Sequence, residues 1–157
     1  MSDKLPKSHF ICEPDAESPG WLRWRMADPT RFNEAVLGRL IARTEGDDIC
    51  RVRIQPQVPL HSNSGGNIHG GVTLALIDIS LFAAMQMLRG VDAGGSTTVD
   101  LSTQFIGAGD TSRPLDSVVE VLRETRRLGF LRGLVKQDDD VVAAFSGTIR
   151  KPGSPHP

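Results

Sequence analysis

One carboxylate, Asp78, interrupts the longest apolar stretch of the chain, which reads VTLALIDISLFAAMQML over residues 72–88. No other charged side chain lies in this stretch, and its remaining polar residues are Thr73, Ser80 and Gln86. An unpaired carboxylate in apolar surroundings costs several kcal/mol, or its pKa rises. Asp78 is therefore a candidate functional residue. The alternative is a carboxylate that lies on a water-facing stripe of the helix or that satisfies a backbone group at a contact.

A glycine-rich loop, NSGGNIHGG, precedes the apolar stretch and ends in Gly70 and Gly71. The first N–H groups of a helix that begins here have no partner within the helix, and the helix dipole adds partial positive charge. Glycine lets a ligand approach the backbone closely, so such N–H groups can stabilise a carbonyl oxygen whose charge grows in a transition state. The alternative is that the glycines only form the turn. The loop has neither G-x-G-x-x-G spacing nor a following lysine, so no dinucleotide or P-loop site is indicated.

The spacing of these two features sets a constraint. Gly70 and Asp78 are eight residues apart, which corresponds to about 12 Å along an α-helix. One ester or thioester carbon cannot contact both groups over that separation. Two antiparallel copies of the helix would bring the glycine end of one copy opposite the carboxylate of the other. The sequence therefore predicts a site shared across a dimer.

The helix needs a sheet to cover it. The apolar period predicts a helix of about 18 residues that ends near Gly90. Four alternating segments follow, STTVDLSTQFIGA, LDSVVEVLRET, LGFLRGLVKQ and DVVAAFSGTIRK, and two more strands are predicted in GRLIARTEGDDICRVRIQPQV. The predicted fold class is α+β, an antiparallel sheet of about six strands around one long central helix. One sheet covers one face of so apolar a helix, and a second copy of the chain is the simplest cover for the rest.

The ends of the chain show no sustained period. We place an N-terminal extension at residues 1–37, a main domain at 38–150 and a flexible tail at 151–157. Within the extension, GWLRWRMADP is compatible with a short strand or an extended arm, and Asp28 before Pro29 predicts a short helix.

Bulk properties exclude several classes of function. The net charge of −1 gives no electrostatic basis for binding nucleic acid or an anionic membrane. The first residues show no signal peptide, and the apolar stretch falls just short of a membrane span. The two cysteines, Cys12 and Cys50, are expected as free thiols in a reducing compartment. We therefore expect a cytoplasmic protein. No metal or cofactor is expected, because His9 and His61 lack the spacing of metal ligands.

The pattern N-x-x-x-x-x-H-G-G, with an acid eight residues after the first of these glycines, resembles the hotdog-fold acyl-CoA thioesterases. The closest resemblance is to the branch of the phenylacetate-degradation and 4-hydroxyphenylacetyl-CoA type enzymes, over about residues 38–150. It implies a sheet wrapped around one helix and hydrolysis of a CoA thioester to the free acid and CoA. It also implies a homodimer with active sites at the interface, and leaves a tetramer of two dimers open.

The resemblance also implies roles by position. Asp78 matches the family acid, which acts as general base on water or as nucleophile. The backbone N–H of Gly70 would polarise the thioester carbonyl, with Gly71 as its neighbour in the turn. Asn63 matches an asparagine that orients the carbonyl or the water, and His69 matches a histidine that shapes the loop.

Two further positions follow from the same resemblance. Thr98 lies where relatives have a Ser or Thr that holds the attacking water, with Thr97 or Ser96 as alternatives because the preceding GGS is longer here. Arg126 and Arg127 lie where relatives have a basic residue, which would bind the phosphates of CoA. A solvated charged hairpin is the alternative for the arginines.

Two other functions remain open from the sequence. One is a non-catalytic acyl-CoA-binding module that keeps the fold. The other is an enoyl-CoA hydratase or dehydratase on the same fold, which typically uses a histidine together with an acid from elsewhere.

Overall fold

One antiparallel sheet of eight strands wraps around a single long helix. The structure is a computed structural model, and it describes residues 9–153. The helix, α1, spans Gly70–Arg89, and two short turns are a π-helix at Asn33–Leu37 and a 3₁₀ helix at Ala93–Gly95. The strands are β1 (Phe10–Pro14), β2 (Leu22–Met26), β3 (Leu40–Thr44), β4 (Ile49–Ile54), β5 (Thr97–Phe105), β6 (Leu115–Glu124), β7 (Leu128–Gln137) and β8 (Asp140–Arg150). Their order across the sheet is β1-β2-β3-β4-β6-β7-β8-β5.

This architecture confirms the predicted hotdog fold, but the predicted number of about six strands is wrong. The two additional strands, β1 and β2, come from the N-terminal part of the chain and continue the sheet beyond β3. Each has five residues, too few for a clear alternation, and the burial of Trp24 ties β2 to the core. The division of the chain at residue 37 stays a prediction, although the sheet extends across that position. The predicted flexible tail lies outside the described residues from position 154 onward.

Both ends of α1 have identifiable stop signals. His69 is the N-cap residue, and its side chain accepts a hydrogen bond from the N–H of Gly71. At the other end Gly90 adopts a left-handed conformation, with φ of 65°, and its N–H donates to the carbonyl oxygens of Met85 and Gln86. Glycine adopts this conformation without the steric cost of a Cβ, which explains why the helix ends here.

The described helix α1 is long and apolar enough to cross a membrane by length and composition alone. However, 56% of its most apolar window is buried inside the fold. A largely buried core helix can have the same length and composition.

The helix lies very close to the sheet at two glycines. A Cβ on Gly129 of β7 would lie 2.7 Å from Cε of Met85, and one on Gly147 of β8 would lie 2.6 Å from Cδ1 of Leu81. A side chain at either position would push against α1. These glycines therefore let the sheet curve closely around the helix.

A buried pair of hydroxyl groups joins α1 to the centre of the sheet. The Oγ atoms of Ser80 on α1 and Ser117 on β6 lie 2.8 Å apart, and both residues are fully buried. The Ser80 hydroxyl is also within 2.7 Å of the carbonyl oxygen of Ile77. Because Ser80 lies two residues after Asp78, this contact fixes the part of the helix that carries the carboxylate.

We expect Ser80→Ala to lower the free energy of unfolding by about 1–3 kcal/mol, because it leaves the buried Ser117 hydroxyl without its side-chain partner. Adding Ser117→Ala should recover most of that loss, since replacing both partners of a buried hydrogen bond is close to neutral. Urea unfolding of the two single variants and the double variant measures this. Losses that simply add would show that the two hydroxyls are not coupled.

Candidate active site

The Asp78 carboxylate lies on α1 and is hydrogen-bonded to the edge strand β5. The Oγ1 atom of Thr98 donates to Oδ1 of Asp78 at 2.6 Å, and both residues are half-buried. A register shift between Thr98 and Asp100 interrupts the pairing of β5 with β8. Such irregularities change the direction of nearby side chains and are common next to active sites.

The other two hydroxyl-bearing residues considered from the sequence lie differently. Ser96 donates its hydroxyl hydrogen bond to the carbonyl oxygen of Asp92, at 2.7 Å. Thr97 is exposed at the start of β5. Among the three, Thr98 is the residue whose hydroxyl contacts the carboxylate.

The surroundings of Asp78 leave one carboxylate oxygen available. Within residues 9–153, Thr98 is the hydrogen-bond partner of its side chain, and no cation forms an ion pair with it. Asp78 also lines a cavity of about 460 Å³. The carboxylate thus has one oxygen held in place and the other open to accept a proton.

The N-terminus of α1 offers a backbone donor at Gly70. Nδ1 of His69 accepts the N–H of Gly71 at 2.9 Å, so that N–H is occupied. Among the residues that the structure describes, none accepts a hydrogen bond from the N–H of Gly70. The ring of Phe105 lies nearby, because a Cβ added at Gly70 would be 3.4 Å from its Cε1 atom.

The loop before α1 is fixed by a buried histidine. Nδ1 of His61 accepts the N–H of Gln57 at 3.0 Å, so Nε2 carries the proton and donates to the carbonyl oxygen of Val36 at 2.6 Å. The carbonyl oxygen of His61 in turn accepts the N–H of His69 at 2.8 Å. His61 therefore supports the loop through its backbone and its ring.

Asn63 organises the glycine-rich turn itself. Its Oδ1 accepts the N–H groups of Gly65, at 2.9 Å, and Asn67, at 3.1 Å. This is the local side-chain-to-backbone bonding typical of Asn in turns. The side-chain oxygen is thus occupied, and the amide nitrogen is the part of Asn63 left for a ligand.

The structure thus brings some of the predicted site residues together and keeps others apart. Asp78 contacts Thr98, and His69 contacts Gly71. Gly70 and Asp78 lie on the same continuous α-helix, so their separation of about 12 Å persists within one chain.

A basic cluster lies near the start of β5. Arg126 and Arg127 are exposed in the turn between β6 and β7, and they line a pocket with Thr97, Arg150 and Lys151. The sequence analysis missed Arg150 and Lys151. Their only mark in the sequence is that two basic residues follow each other at the end of the last strand. The pairing of β8 with β5 and β7 brings them close to Arg126 and Arg127.

The lining of the cavity beside Asp78 was also missed. Strands β1 and β2 contribute Phe10, Trp24 and Met26 to this lining, and α1 contributes Ile79 and Phe82. A short aromatic segment far from the glycine-rich loop gave no signal of this contact. In the part of the chain that the structure describes, no group of three or more His, Cys, Asp or Glu side chains is arranged to hold a metal.

Comparison with known proteins agrees with this fold. Residues 58–150 match the sequence model of the acyl-CoA thioesterase N-terminal domain. Human acyl-coenzyme A thioesterase 13 is 28% identical over 100 residues, which are 62% of this chain and 67% of the relative.

Two solved structures share the fold. A crystal structure of zebrafish thioesterase superfamily member 2 aligns with a TM-score of 0.67 at 22% identity, covering 81% of this chain and 90% of the other. The PaaI protein from the phenylacetic acid degradation operon of E. coli aligns with a TM-score of 0.67 at 17% identity, covering 80% and 87%. The family match spans more than half of the chain, and the protein therefore belongs to the acyl-CoA thioesterase family. It is a thioester hydrolase.

We expect Thr98→Val, which keeps the shape of the side chain, to lower turnover about tenfold. The reason is that a hydrogen bond to a carboxylate contributes about 1.5–3 kcal/mol, and about 1.4 kcal/mol corresponds to a factor of ten in rate. Steady-state release of thiol from an acyl-CoA measures this.

Thr103→Val is the matched control. Thr103 lies on the same strand, and its buried Oγ1 has no hydrogen-bond partner among the described residues. Turnover should stay at the wild-type level in this variant. Equal losses in both variants would mean that β5 tolerates no such change, and that the bond to Asp78 has no special role.

Proposed function

We propose that this protein hydrolyses a CoA thioester to the free acid and CoA, with Asp78 as general base or nucleophile and the Gly70 N–H polarising the carbonyl. One observation carries the proposal. The half-buried carboxylate of Asp78 is held by Thr98 at 2.6 Å and opens onto a cavity. It lies on the same helix whose first N–H has no acceptor among the described residues.

In the general-base form, Asp78 takes a proton from a water molecule while the water oxygen attacks the thioester carbon. The carbonyl oxygen, which becomes negatively charged, accepts a hydrogen bond from the Gly70 N–H. The helix dipole strengthens this hydrogen bond. The tetrahedral intermediate then collapses. The C–S bond breaks, and the CoA sulfur leaves as thiolate or takes the proton back from Asp78.

In the nucleophilic form, the Asp78 carboxylate itself attacks the carbonyl carbon and expels the CoA thiolate. The resulting mixed anhydride is cleaved by water, which regenerates the carboxylate and yields the acid. Thr98 serves both forms, because its hydrogen bond orients the carboxylate before either attack.

The separation of Gly70 and Asp78 requires that the two groups at one site come from two copies of the chain.

The exposed surface beside the site supports this proposal. Strand β5 is an edge of the sheet, and its exposed Val99 and Phe105 leave 59% and 55% of their surface accessible. Ile106, directly after β5, is 60% exposed, and Leu74 of α1 is also exposed. An apolar, unpaired edge strand of this kind is a pairing surface. The protein is thus a homodimer with sites at the interface, and two dimers can further form a tetramer.

The basic cluster is the proposed site for the phosphates of CoA. Arg126, Arg127 and Arg150 form no ion pair with any described residue, whereas Nζ of Lys151 contacts Oε1 of Glu124 at 2.5 Å. Three unpaired guanidinium groups suit phosphate oxygens, which they can bind with paired hydrogen bonds. Thr97 lines the same pocket, one residue before Thr98. A bound CoA would therefore extend from this pocket towards the carboxylate.

No metal or other cofactor is part of the proposal, because a carboxylate and a backbone N–H suffice for this chemistry. We also propose a cytoplasmic location, in keeping with the two free cysteines, Cys12 and Cys50.

We expect Asp78→Asn, which keeps the volume and removes the base, to lower thiol release by a factor of about 10² or more. Binding of the thioester should persist, because the pocket and the basic cluster are unchanged. A screen of short, long and aryl CoA thioesters, with release of the thiol and binding measured in parallel, tests both statements. Asp139→Asn, an exposed change in the turn before β8, is the control and should leave turnover unchanged.

The same screen separates the alternatives. A mutant that keeps most of the wild-type turnover would contradict the role of Asp78. A wild-type protein that binds thioesters without releasing thiol would be a binding module. Addition of water to an enoyl-CoA without release of thiol would identify a hydratase.

A further inference from the structure

The cavity beside Asp78 has one wall from the helix and one from the N-terminal strands. Asp78, Ile79 and Phe82 of α1 line one side, and Phe10 and Trp24 line the other, around a volume of about 460 Å³. The match to the family begins at residue 58, so β1 and β2 lie outside it. The family match therefore says nothing about this wall, and its role has to be argued from the contacts of its residues.

Trp24 is the most firmly held member of this wall. Only 1% of its surface is exposed, and it lies on β2 between β1 and β3. Its ring stacks on Phe10 with a centroid distance of 4.4 Å and an interplanar angle of 21°. Its Nε1–H donates to Oε1 of Gln86 at 2.9 Å. The indole is thus fixed on its apolar face and at its polar edge.

The bond to Trp24 also explains a polar residue that the sequence left without a role. Gln86 lies in the apolar stretch of α1, eight residues after Asp78. A buried indole N–H needs an acceptor, and Gln86 supplies it. The helix that carries the carboxylate therefore also positions the aromatic wall.

The lining of the cavity suits the apolar part of an acyl group whose carbonyl carbon lies at Asp78. Aromatic and aliphatic side chains make up half of its lining residues. The polar lining residues are Asp78, His9, Asn33 and Ser96, together with Arg31 and Asp28, which form an exposed ion pair at 3.0 Å. A volume of about 460 Å³ lies in the lower part of the range for small-molecule pockets. It is large enough for an acyl group and too small for a whole acyl-CoA.

We propose that Trp24 is a specificity-determining residue, which sets how large an acyl group fits between α1 and the N-terminal strands. This rests on the proposed function, because it places the thioester carbon at Asp78. The acyl group lies against Phe82 and Ile79 on one side and against the Phe10–Trp24 stack on the other. Trp24 limits the depth of the cavity, and Gln86 keeps the indole in that position.

The second tryptophan of the chain provides a matched control. Trp21, directly before β2, is also buried but does not line this cavity, and its ring centroid lies 4.5 and 4.8 Å from the guanidinium carbons of Arg43 and Arg53. The chain has two tryptophans. W21F therefore leaves Trp24 as the only indole, and W24F leaves Trp21.

The first experiment titrates each single-tryptophan variant with S-octyl-CoA, a thioether that cannot be hydrolysed, and records tryptophan fluorescence. In W21F the emission of Trp24 should change and saturate with ligand, whereas in W24F the emission of Trp21 should stay constant. CoA without an alkyl chain should leave both unchanged. A Trp24 signal that is absent, or that CoA alone reproduces, would overturn the proposal.

The second experiment compares kcat/KM for saturated acyl-CoA thioesters of increasing chain length in wild type, Trp24→Ala and Trp21→Ala. Each additional methylene that becomes buried contributes roughly fourfold. Trp24→Ala should therefore raise the ratio of long-chain to medium-chain kcat/KM by about tenfold or more. Trp21→Ala should lower kcat/KM by the same factor for every chain length and leave the ratio unchanged.

The two experiments fail in different ways. If the wild type releases no thiol from any chain length, the proposed function is wrong, and the fluorescence titration still decides whether an alkyl chain contacts Trp24. If the wild type is active and Trp24→Ala keeps the wild-type ratio, the specificity role is wrong and the hydrolase assignment stands. If Trp24→Ala does not fold, the titration of W21F decides alone, because it leaves Trp24 intact.

Discussion

The rigidity of α1 is the constraint on which the rest of the structure depends. The helix carries an N–H at Gly70 that has no acceptor among residues 9–153 and a carboxylate at Asp78, and its geometry keeps them about 12 Å apart. No movement of side chains closes that distance, because the N–H belongs to the backbone. A thioester can meet both groups only if a second helix supplies one of them. The exposed apolar edge at Val99 and Phe105 is consistent with that requirement.

Several contacts hold this helix in one place relative to the sheet. The Ser80–Ser117 pair joins its middle to β6, the hydrogen bond from Thr98 to Asp78 joins it to β5, and Gln86 joins it to β2. Each uses a polar side chain within an otherwise apolar helix. Three polar residues in the apolar stretch of the sequence thus have a role in the structure. Asp78 is the carboxylate, and Ser80 and Gln86 hold the helix that carries it.

The sequence predicted the parts of the fold that have a clear period. Helix α1 follows from the long apolar stretch and β5 to β8 from alternation, whereas the residues of β3 and β4 alternate only loosely. The spacing of Gly70 and Asp78 follows from helix geometry alone. Strand β1 was missed, and β2 was left open as a short strand or an extended arm, because five residues show too little alternation. The choice among three hydroxyls depended on the register shift after Thr98, and the Trp24–Gln86 bond joins residues 62 positions apart. Neither is visible without tertiary structure.

The most direct measurement of a shared site is complementation between two inactive variants. Asp78→Asn leaves two intact glycine ends, and Gly70→Val leaves two intact carboxylates. Both parents are first shown to be folded dimers, and heterodimers are then isolated with two different affinity tags. A shared site predicts that each heterodimer contains one site with both lesions and one with none, and so recovers up to half of the wild-type activity. Inactive heterodimers would show that Gly70 and Asp78 act within the same chain, which would contradict the account.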